Sequence, residues 1–299
     1  MNVERLNREQ GIEGQLTFFA GAGGLPMLDI NTPLARARIS LYGGQVLAFQ
    51  PATEAEDLLF LSERAFFQAG RAIKGGIPLC WPWFGPDPEA RGRPAHGFVR
   101  TRHWDAVTTR RLQDGGILVR IGLVDSPRTR ELWPHPFQLA IEISVGSKLR
   151  LELVTRNSGE APVGITQALH TYLRVGDVRQ TRIPGLAGAG YYDKLDGGAE
   201  KQQLGPVLID RAVDRIYSVE PGSLEVVDES LGRRIRIASS GSDSVVVWNP
   251  WSAGAAAMED LADDDYLRML CVESANTKPV TLEPGESRRL GASYSLASC

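Results

Sequence analysis

Apolar and polar residues alternate in short runs along almost the whole chain. Residues 137–143 and 149–153 both alternate in this way and flank a Gly-Ser pair at 146–147, which predicts a β-hairpin. Similar runs occur at 35–41, 117–124, 163–173, 224–227, 234–238, 245–248 and 267–273. Because successive side chains of a strand point to opposite faces, this pattern predicts strands that turn one face toward a core.

Segments with a helical period are few. Residues 62–67, 127–132 and 255–261 are the best candidates for short helices. Many short strands separated by Gly, Asn, Asp and Pro turns, without the helices of a βαβ protein, predict an all-β fold built as a large antiparallel sandwich. The 299 residues show no internal repeat and no linker, so we expect a single domain over 1–299 in which residues 1–20 are peripheral.

The charge balance argues against a polyanionic partner. Lys and Arg total 33 and Asp and Glu total 36, a net charge of -3, so we expect no binding to nucleic acid or to an anionic membrane. No run approaches the ~20 apolar residues that span a bilayer, and the first residues are charged rather than of signal-peptide type. We therefore expect a cytoplasmic protein.

The three cysteines, Cys80, Cys271 and Cys299, have no paired spacing, so neither a disulfide framework nor a cysteine zinc site is predicted. Cys80 and Cys271 lie among apolar neighbours and are expected to be small buried residues, although the histidines of the chain leave a nucleophilic role open. The four histidines lack close ligand spacing, so no metal is expected.

Basic, aromatic and glycine residues are concentrated between residues 71 and 104. Lys74, His96 and Arg100 are potential hydrogen-bond donors, and the Gly-Gly pair at 75–76 would let backbone amides come close to a ligand. Together these residues predict a pocket for a polar, anionic small molecule. The alternative is a surface loop whose tryptophans at 81 and 83 belong to the core.

Alternation in two strands singles out a histidine and a glutamate. His170 shares a strand face with the small residue Ala168, as expected for a concave binding surface. Glu273 shares a face with Met269 and Cys271, where partial desolvation would raise its pKa above the ~4.3 of a free glutamate and make it a general base. Taken alone, a strand histidine can equally be structural, and a glutamate at a strand end can be solvated.

Seven short motifs follow one another along the chain. They are Lys-Gly-Gly-Ile-Pro at 74–78, His-Gly-Phe-Val-Arg at 96–100, His-Thr-Tyr at 170–172 with Arg-Val at 174–175, Tyr-Asp-Lys at 192–194, Asp-Arg-Ile-Tyr at 214–217, Val-Trp-Asn-Pro-Trp at 247–251 and Cys-Val-Glu at 271–273. As an ordered set they resemble the glucose-6-phosphate 1-epimerase family, the hexose-phosphate branch of the aldose 1-epimerases or mutarotases.

The resemblance implies a one-domain β-supersandwich enzyme that interconverts the α and β anomers of a hexose 6-phosphate without a metal or organic cofactor. By position, it assigns His170 as the general acid and Glu273 as the general base. It assigns His96 to hydrogen bonding with the sugar, and Lys74 and Arg100 to the phosphate. Ring opening delivers a proton to the ring oxygen and takes one from the anomeric hydroxyl, so one acid and one base suffice.

Further site residues are expected around this set. The resemblance places Asp214 near the sugar hydroxyls. Arg71 is an additional candidate for the phosphate, and Trp81 is the first of the aromatic residues that could cover a sugar face, with those at 83, 84 and 251. Lys74 stands where many family members have arginine, so the bidentate fork of a guanidinium is lost.

Two other functions stay open on the sequence alone. One is a mutarotase of neutral aldoses, and the other is a non-catalytic protein that binds a sugar phosphate. A metal-dependent isomerase of cupin type is disfavoured by the spacing of the histidines. We expect a monomer whose partner is a small-molecule sugar phosphate.

Overall fold

The computed structural model describes residues 2–220 and 222–298, and the strands in these ranges pair antiparallel in three sheets. The N-terminal sheet consists, in spatial order, of β1 (Leu16–Ala20), β2 (Pro26–Asn31), β3 (Ala35–Ser40) and β4 (Gln45–Pro51). The front sheet consists of β14 (Ala199–Gln202), β13 (Gly190–Asp193), β16 (Val213–Ser218), β19 (Ser244–Asn249), β20 (Met269–Leu282), β10 (Val163–Leu169) and β5 (Leu79–Cys80), and β11 (Tyr172–Arg174) also pairs with β20.

The back sheet covers one face of the front sheet. It consists, in spatial order, of β15 (Val207–Leu208), β12 (Thr181–Ile183), β17 (Ser223–Asp228), β18 (Arg233–Ser240), β21 (Ser287–Ser298), β9 (Leu149–Asn157), β8 (Phe137–Val145), β7 (Ile117–Val124) and β6 (Asp105–Arg111). The hairpin predicted from alternation is confirmed as β8 and β9, which pair from Val145 opposite Leu149 to Phe137 opposite Asn157.

One continuous cluster of buried side chains joins the three sheets. Ile39 of the N-terminal sheet, Leu169 of the front sheet and Ile235 of the back sheet all belong to it and are fully buried. The predicted all-β antiparallel sandwich is therefore confirmed. The expectation that residues 1–20 are peripheral is wrong for β1, because Leu16 and Phe18 are buried in the same cluster.

The α-helices in the described part of the chain are α1 (Val3–Gln10), α2 (Pro127–Leu132) and α3 (Trp251–Ala256). The predicted helix at 127–132 is confirmed; its N-terminus is capped by Ser126, and Pro127 occupies the first helical position. The helix predicted at 255–261 overlaps α3 in two residues, 255 and 256. Among the described residues, none of the helices has the length and apolar character that crossing a bilayer requires.

The helix predicted at 62–67 is wrong. The hydroxyl oxygen of Ser62 accepts the backbone N–H of Arg64 (3.2 Å), and the hydroxyl donates to Asp265 (3.2 Å). A short polar side chain that bonds to the backbone two residues ahead favours a turn over a helix. The segment therefore turns and is attached to the loop that precedes β20.

Trp81 lies in the core and not in a binding pocket, so its expected role as a sugar-covering residue is wrong. The side chain is fully buried, and its indole N–H donates to Oγ1 of Thr155 on the back sheet (3.0 Å). Its ring packs against Phe98 and Phe137, with centroid distances of 5.9 and 4.6 Å. Trp83 is also buried in this cluster. The core alternative for both tryptophans is the correct one.

Candidate active site

His170 and Glu273 meet across two paired strands of the front sheet. β10 pairs Leu169 with Ser274, and β11 continues against β20 in the same register, so position 170 faces position 273. Nδ1 of His170 lies 3.4 Å from Oε1 of Glu273. The structure therefore brings together the two side chains that the sequence singled out.

This pair lies on the outer face of the front sheet, away from the back sheet. In β20, Leu270 and Val272 join the central core, whereas Met269 and Cys271 pack in a separate cluster on the opposite face. Glu273 follows Cys271 by two positions and points to the same side. The apolar surroundings predicted for this carboxyl group are confirmed, since it is 2 % exposed.

Burial controls the charge of Glu273. The loss of hydration raises the pKa of the carboxyl well above 4.5, and the carboxylate of Asp214 raises it further. The cations Lys194 and Arg100 act in the opposite direction with smaller effect. The buried Oε2 has no hydrogen-bond partner in the described part of the chain, so the group has an acceptor available for a ligand.

The imidazole of His170 is neutral at neutral pH. Burial lowers its pKa well below 6.5, and His96, Arg100 and Lys74 lower it further. The ring stacks on Tyr172 with 4.8 Å between centroids and 9° between planes, which fixes its orientation. Its buried Nδ1 has no hydrogen-bond partner among the described residues.

Backbone pairing brings the loop that carries Lys74 beside His170. The N–H of His170 donates to the carbonyl of Pro78 (3.0 Å), and β5 then pairs with β10. The side-chain amide of the buried Gln45 donates to the carbonyls of residues 73 and 75, on either side of Lys74. These bonds fix the backbone of the loop, so Lys74 extends into the pocket from a rigid base.

The glycines of this loop allow backbone to approach backbone. Gly75 has φ +113°, and a Cβ there would lie 2.5 Å from the carbonyl oxygen of Phe60. Gly76 has φ +62°, a Cβ there would overlap the carbonyl oxygen of Val46, and its N–H donates to Phe60 (2.7 Å). The expectation that these amides approach a ligand is wrong for Gly76, because its N–H is bonded within the fold, and the close approach at both glycines is to neighbouring backbone.

His96 has a fixed orientation in the loop between β5 and β6. Its backbone is left-handed (φ +63°), its N–H donates to the carbonyl of Gly85 (2.7 Å), and the N–H of Gly85 donates to its Nδ1 (3.3 Å). Since Nδ1 accepts a hydrogen bond, the hydrogen of the neutral ring is on Nε2. The ring is edge-on to Phe84 and His170, with centroid distances of 5.0 and 5.7 Å. His96 therefore offers a ring N–H donor.

We expect His96 to remain neutral and protonated on Nε2 throughout the physiological range. Burial lowers the pKa of His96 to about 3, and Arg100, Lys194 and Lys74 contribute in the same direction. ¹⁵N NMR of the ring nitrogens should show an unprotonated Nδ1 that does not titrate between about pH 5 and pH 8. The signals are assigned with His96→Gln, and a titration centred near pH ~6.5 would contradict this result.

Three cations surround the pair. Lys74, Arg100 and Lys194 line the same pocket of about 210 Å³ as His170 and Glu273. Lys74 and Arg100, which the resemblance assigned to the phosphate, therefore lie in the same pocket as His170 and Glu273. The lining also includes the carboxylate of Asp214, so the three cations leave an excess of positive charge that suits an anionic ligand.

Two of the cations already have carboxylate partners. Nζ of Lys194 lies 2.9 Å from Oδ2 of Asp214, which also lines the pocket. Nζ of Lys74 lies 3.4 Å from Oδ1 of Asp260. Arg100 donates to the carbonyl of Ala95 (2.9 Å) and forms no ion pair with a carboxylate in the part of the chain that the structure describes.

Arg71 lies outside the pocket, so its expected role as a phosphate ligand is wrong. Its guanidinium is half exposed, packs on the ring of Phe66 at 4.0 Å and pairs with Glu259 at 3.4 Å. Trp251 also lies outside the pocket and packs on Tyr266. Of the aromatic residues that the sequence offered as covers for a sugar, Phe84 lines the pocket.

Sequence reasoning overlooked Lys194, Tyr172 and Trp248 as pocket residues. Trp248 follows Val246 by two positions on β19, so strand alternation could have placed both on the outer face. Lys194 lies in the turn after β13, and a turn has no period from which its direction can be read.

Cys80 and Cys271 are buried free thiols, as predicted, and burial raises the pKa of the Cys271 thiol well above 9.0. A thiolate nucleophile is therefore not favoured. Cys299 lies outside the described residues. Within them, no three His, Cys, Asp or Glu side chains are grouped so as to hold a metal ion.

Comparison with known proteins identifies the family to which this chain belongs. The sequence model of the family described as Aldose 1-epimerase matches residues 26–295. The chain belongs to the aldose 1-epimerase family, and it is an epimerase.

Two related proteins carry the description "Putative glucose-6-phosphate 1-epimerase". The protein of Escherichia coli (strain K12) is 36% identical over 264 residues, which cover 87% of this chain and 87% of that protein. The protein of Cenchrus ciliaris is 35% identical over 263 residues, which cover 85% of this chain and 79% of that protein. The family resemblance drawn from the seven motifs is confirmed.

Solved structures show the same architecture. The crystal structure of a "putative mutarotase" from Salmonella typhimurium superposes with a TM-score of 0.90 at 30% identity, covering 97% of this chain and 96% of that one. A galactose mutarotase-like protein from Clostridium acetobutylicum gives a TM-score of 0.73 at 13% identity, covering 95% and 98%, and shows the fold alone. The predicted galactose mutarotase-like β-supersandwich is confirmed.

Proposed function

We propose that the protein interconverts the α and β anomers of a hexose 6-phosphate, most simply glucose 6-phosphate, with His170 and Glu273 as its acid–base pair. The observation that carries this proposal is the 3.4 Å approach of the two groups inside a pocket lined by three cations. The descriptions of the relatives at 35% and 36% identity support the same substrate.

The chemistry of anomerisation suits two adjacent groups. The ring oxygen and the anomeric oxygen are bonded to the same carbon, so a donor to one and an acceptor from the other have to lie close together. When a proton reaches the ring oxygen and another leaves the anomeric hydroxyl, the ring opens to an aldehyde. Rotation about the C1–C2 bond and reclosure, with the two proton transfers reversed, give the other anomer.

The pair contains the one transferable proton that this cycle needs. Burial favours the neutral form of both groups. In this form Glu273 donates the first proton and a ring nitrogen of His170 accepts one, so the acid and base roles that the resemblance assigned to the two residues are exchanged. The pair has no net charge whether the proton is on the carboxyl or on the imidazole. Each group gives up one proton and takes up one proton over ring opening and reclosure, so no net proton is consumed.

The surrounding residues provide the contacts that a sugar phosphate requires. Arg100 has no carboxylate partner among the described residues and is the strongest candidate for the phosphate, with Lys74 beside it. The Nε2–H of His96 and the carboxylate of Asp214 can hydrogen-bond sugar hydroxyls. Phe84 and Trp248 provide apolar surface for the ring.

The proposal is tested by polarimetry of freshly dissolved α-glucose 6-phosphate and α-glucose. We expect the wild-type protein to accelerate relaxation to the anomeric equilibrium, with a higher kcat/KM for the phosphorylated sugar. Equal or greater acceleration with glucose would favour a mutarotase of neutral aldoses. Binding of the sugar phosphate in calorimetry without any acceleration would reject the proposed reaction.

We expect kcat at saturating substrate not to fall as the pH is lowered through the ordinary histidine pKa of about 6.5. The folded-state pKa of His170 is lowered, so the pair gains a second proton only well below pH 6.5. The folded-state pKa of Glu273 is raised, so the pair loses its proton only well above pH 4.5. A pH profile of kcat should therefore place its acid limb far below 6.5. An inflection at the ordinary histidine pKa would contradict the neutral resting pair.

A further inference from the structure

Lys74 is held by a carboxylate in a partly buried ion pair. Its Nζ lies 3.4 Å from Oδ1 of Asp260, and the two side chains are 18% and 22% exposed. The neighbouring pair between Arg64 and Asp263 has the same length but is 56% and 75% exposed. Solvent screens the exposed pair strongly and the buried pair weakly. The charge of Asp260 therefore acts on the pocket, and that of Asp263 does not.

The loop that carries Asp260 is anchored in place. It connects α3 to β20, and the carboxylate of Asp265 at its end accepts the N–H of Ala262 (2.9 Å) and the hydroxyl of Ser62 (3.2 Å). Asp265 is itself buried. Asp260 is thus a fixed partner of Lys74.

A lysine is more completely neutralised by one carboxylate than an arginine would be. The ammonium group of Lys74 is a compact point charge, whereas a guanidinium spreads its charge over a fork that can serve two partners. A bound phosphate has to share Lys74 with Asp260 and is also repelled by it. A neutral sugar experiences neither effect, because the repulsion scales with the charge of the ligand.

We propose that Asp260 is a specificity-determining residue, which weakens the preference for phosphorylated sugars by competing with the phosphate for Lys74. The inference rests on the proposed function. Arg100 then carries most of the phosphate recognition, and the pocket stays able to accept unphosphorylated aldoses. The same competition weakens the binding of free inorganic phosphate, which lacks the sugar contacts.

The test compares Asp260→Asn with Asp263→Asn, a matched change in the same loop at an exposed pair. Calorimetry with inorganic phosphate should show binding that is about three- to tenfold tighter in Asp260→Asn than in the wild type. The ratio of kcat/KM for glucose 6-phosphate to that for glucose should rise by a similar factor. Asp263→Asn should leave both quantities unchanged. Unchanged or weaker phosphate binding in Asp260→Asn would overturn the proposal.

A second comparison shows whether Asp260 acts through Lys74. In a Lys74→Gln background, Asp260→Asn should tighten phosphate binding much less than it does in the wild type. A full effect in that background would mean direct repulsion and would overturn the competition for Lys74. Phosphate binding is measured without catalysis, so these outcomes stay distinct from a failure of the proposed function, which would appear as a wild type that does not accelerate anomerisation.

Discussion

Replacing Glu273 with glutamine is expected to lower kcat for anomerisation of glucose 6-phosphate about 10²- to 10⁴-fold. Glutamine has the shape of glutamate and no transferable proton, so the pair with His170 can no longer exchange one. The change removes a group whose ionisation is opposed by burial, so the fold should be retained. Polarimetry at saturating substrate measures the loss, and thermal unfolding checks the fold.

The matched control is Glu225→Gln. Glu225 lies on β17 of the back sheet and forms an exposed ion pair with Arg236, so its loss should leave kcat unchanged. His170→Gln should lose about as much activity as Glu273→Gln. The double variant should be little worse than either, because the two groups act as a unit. Near wild-type kcat in Glu273→Gln would reject the assigned pair.

Replacing Arg100 with glutamine is expected to raise KM for glucose 6-phosphate about 10- to 100-fold. Arg100 is the pocket cation that has no carboxylate partner among the described residues, so its charge is fully available to a phosphate. Glucose lacks the phosphate, so its kinetic constants should change much less. Initial rates over a range of concentrations of the two sugars measure this difference.

Arg71→Gln is the control for a general loss of positive charge. Arg71 is half exposed, paired with Glu259 and outside the pocket, so its replacement should change neither sugar's KM. An equal rise in KM for glucose and glucose 6-phosphate in Arg100→Gln would show that Arg100 does not bind the phosphate. The site would then be one for neutral aldoses.

Strand alternation predicted both the fold and the environment of the acid–base pair. Leu169 and Leu173 face the core, and His170 and Tyr172 face outward, as the period of two requires. The same period placed Glu273 with Cys271. Alternation could not show that positions 170 and 273 face each other, because cross-strand register depends on the pairing of segments a hundred residues apart.

Loop residues were predicted less well. Between β5 and β6 the chain has no periodic pattern, so the sequence did not distinguish Trp81, which fills the core, from Phe84, which lines the pocket. The glycines at 75–76 correctly indicated that another group lies close to the backbone there, but that group is the backbone of neighbouring segments and not a ligand. Asp260 was missed because it reaches Lys74 from a loop distant in sequence.

The pKa of His170 shows a further limit of sequence reasoning. Its direction is set by burial and by the combined charge of His96, Arg100 and Lys74, which come from other segments. The main cause of the raised pKa of Glu273, burial beside apolar neighbours on the same strand face, is local and was predictable, whereas the further contribution of Asp214 from another strand was not. A pKa shift caused by neighbours on the same strand could therefore be predicted from the sequence. A pKa shift caused by charges on several other segments could not.

The most direct test of the proposed reaction is exchange NMR on glucose 6-phosphate labelled with ¹³C at C1, at anomeric equilibrium. Wild-type protein should increase the rate of exchange between the α and β C1 signals in proportion to its concentration, and Glu273→Gln should leave the rate near that of buffer alone. Exchange that is as fast with Glu273→Gln as with the wild type would contradict the account.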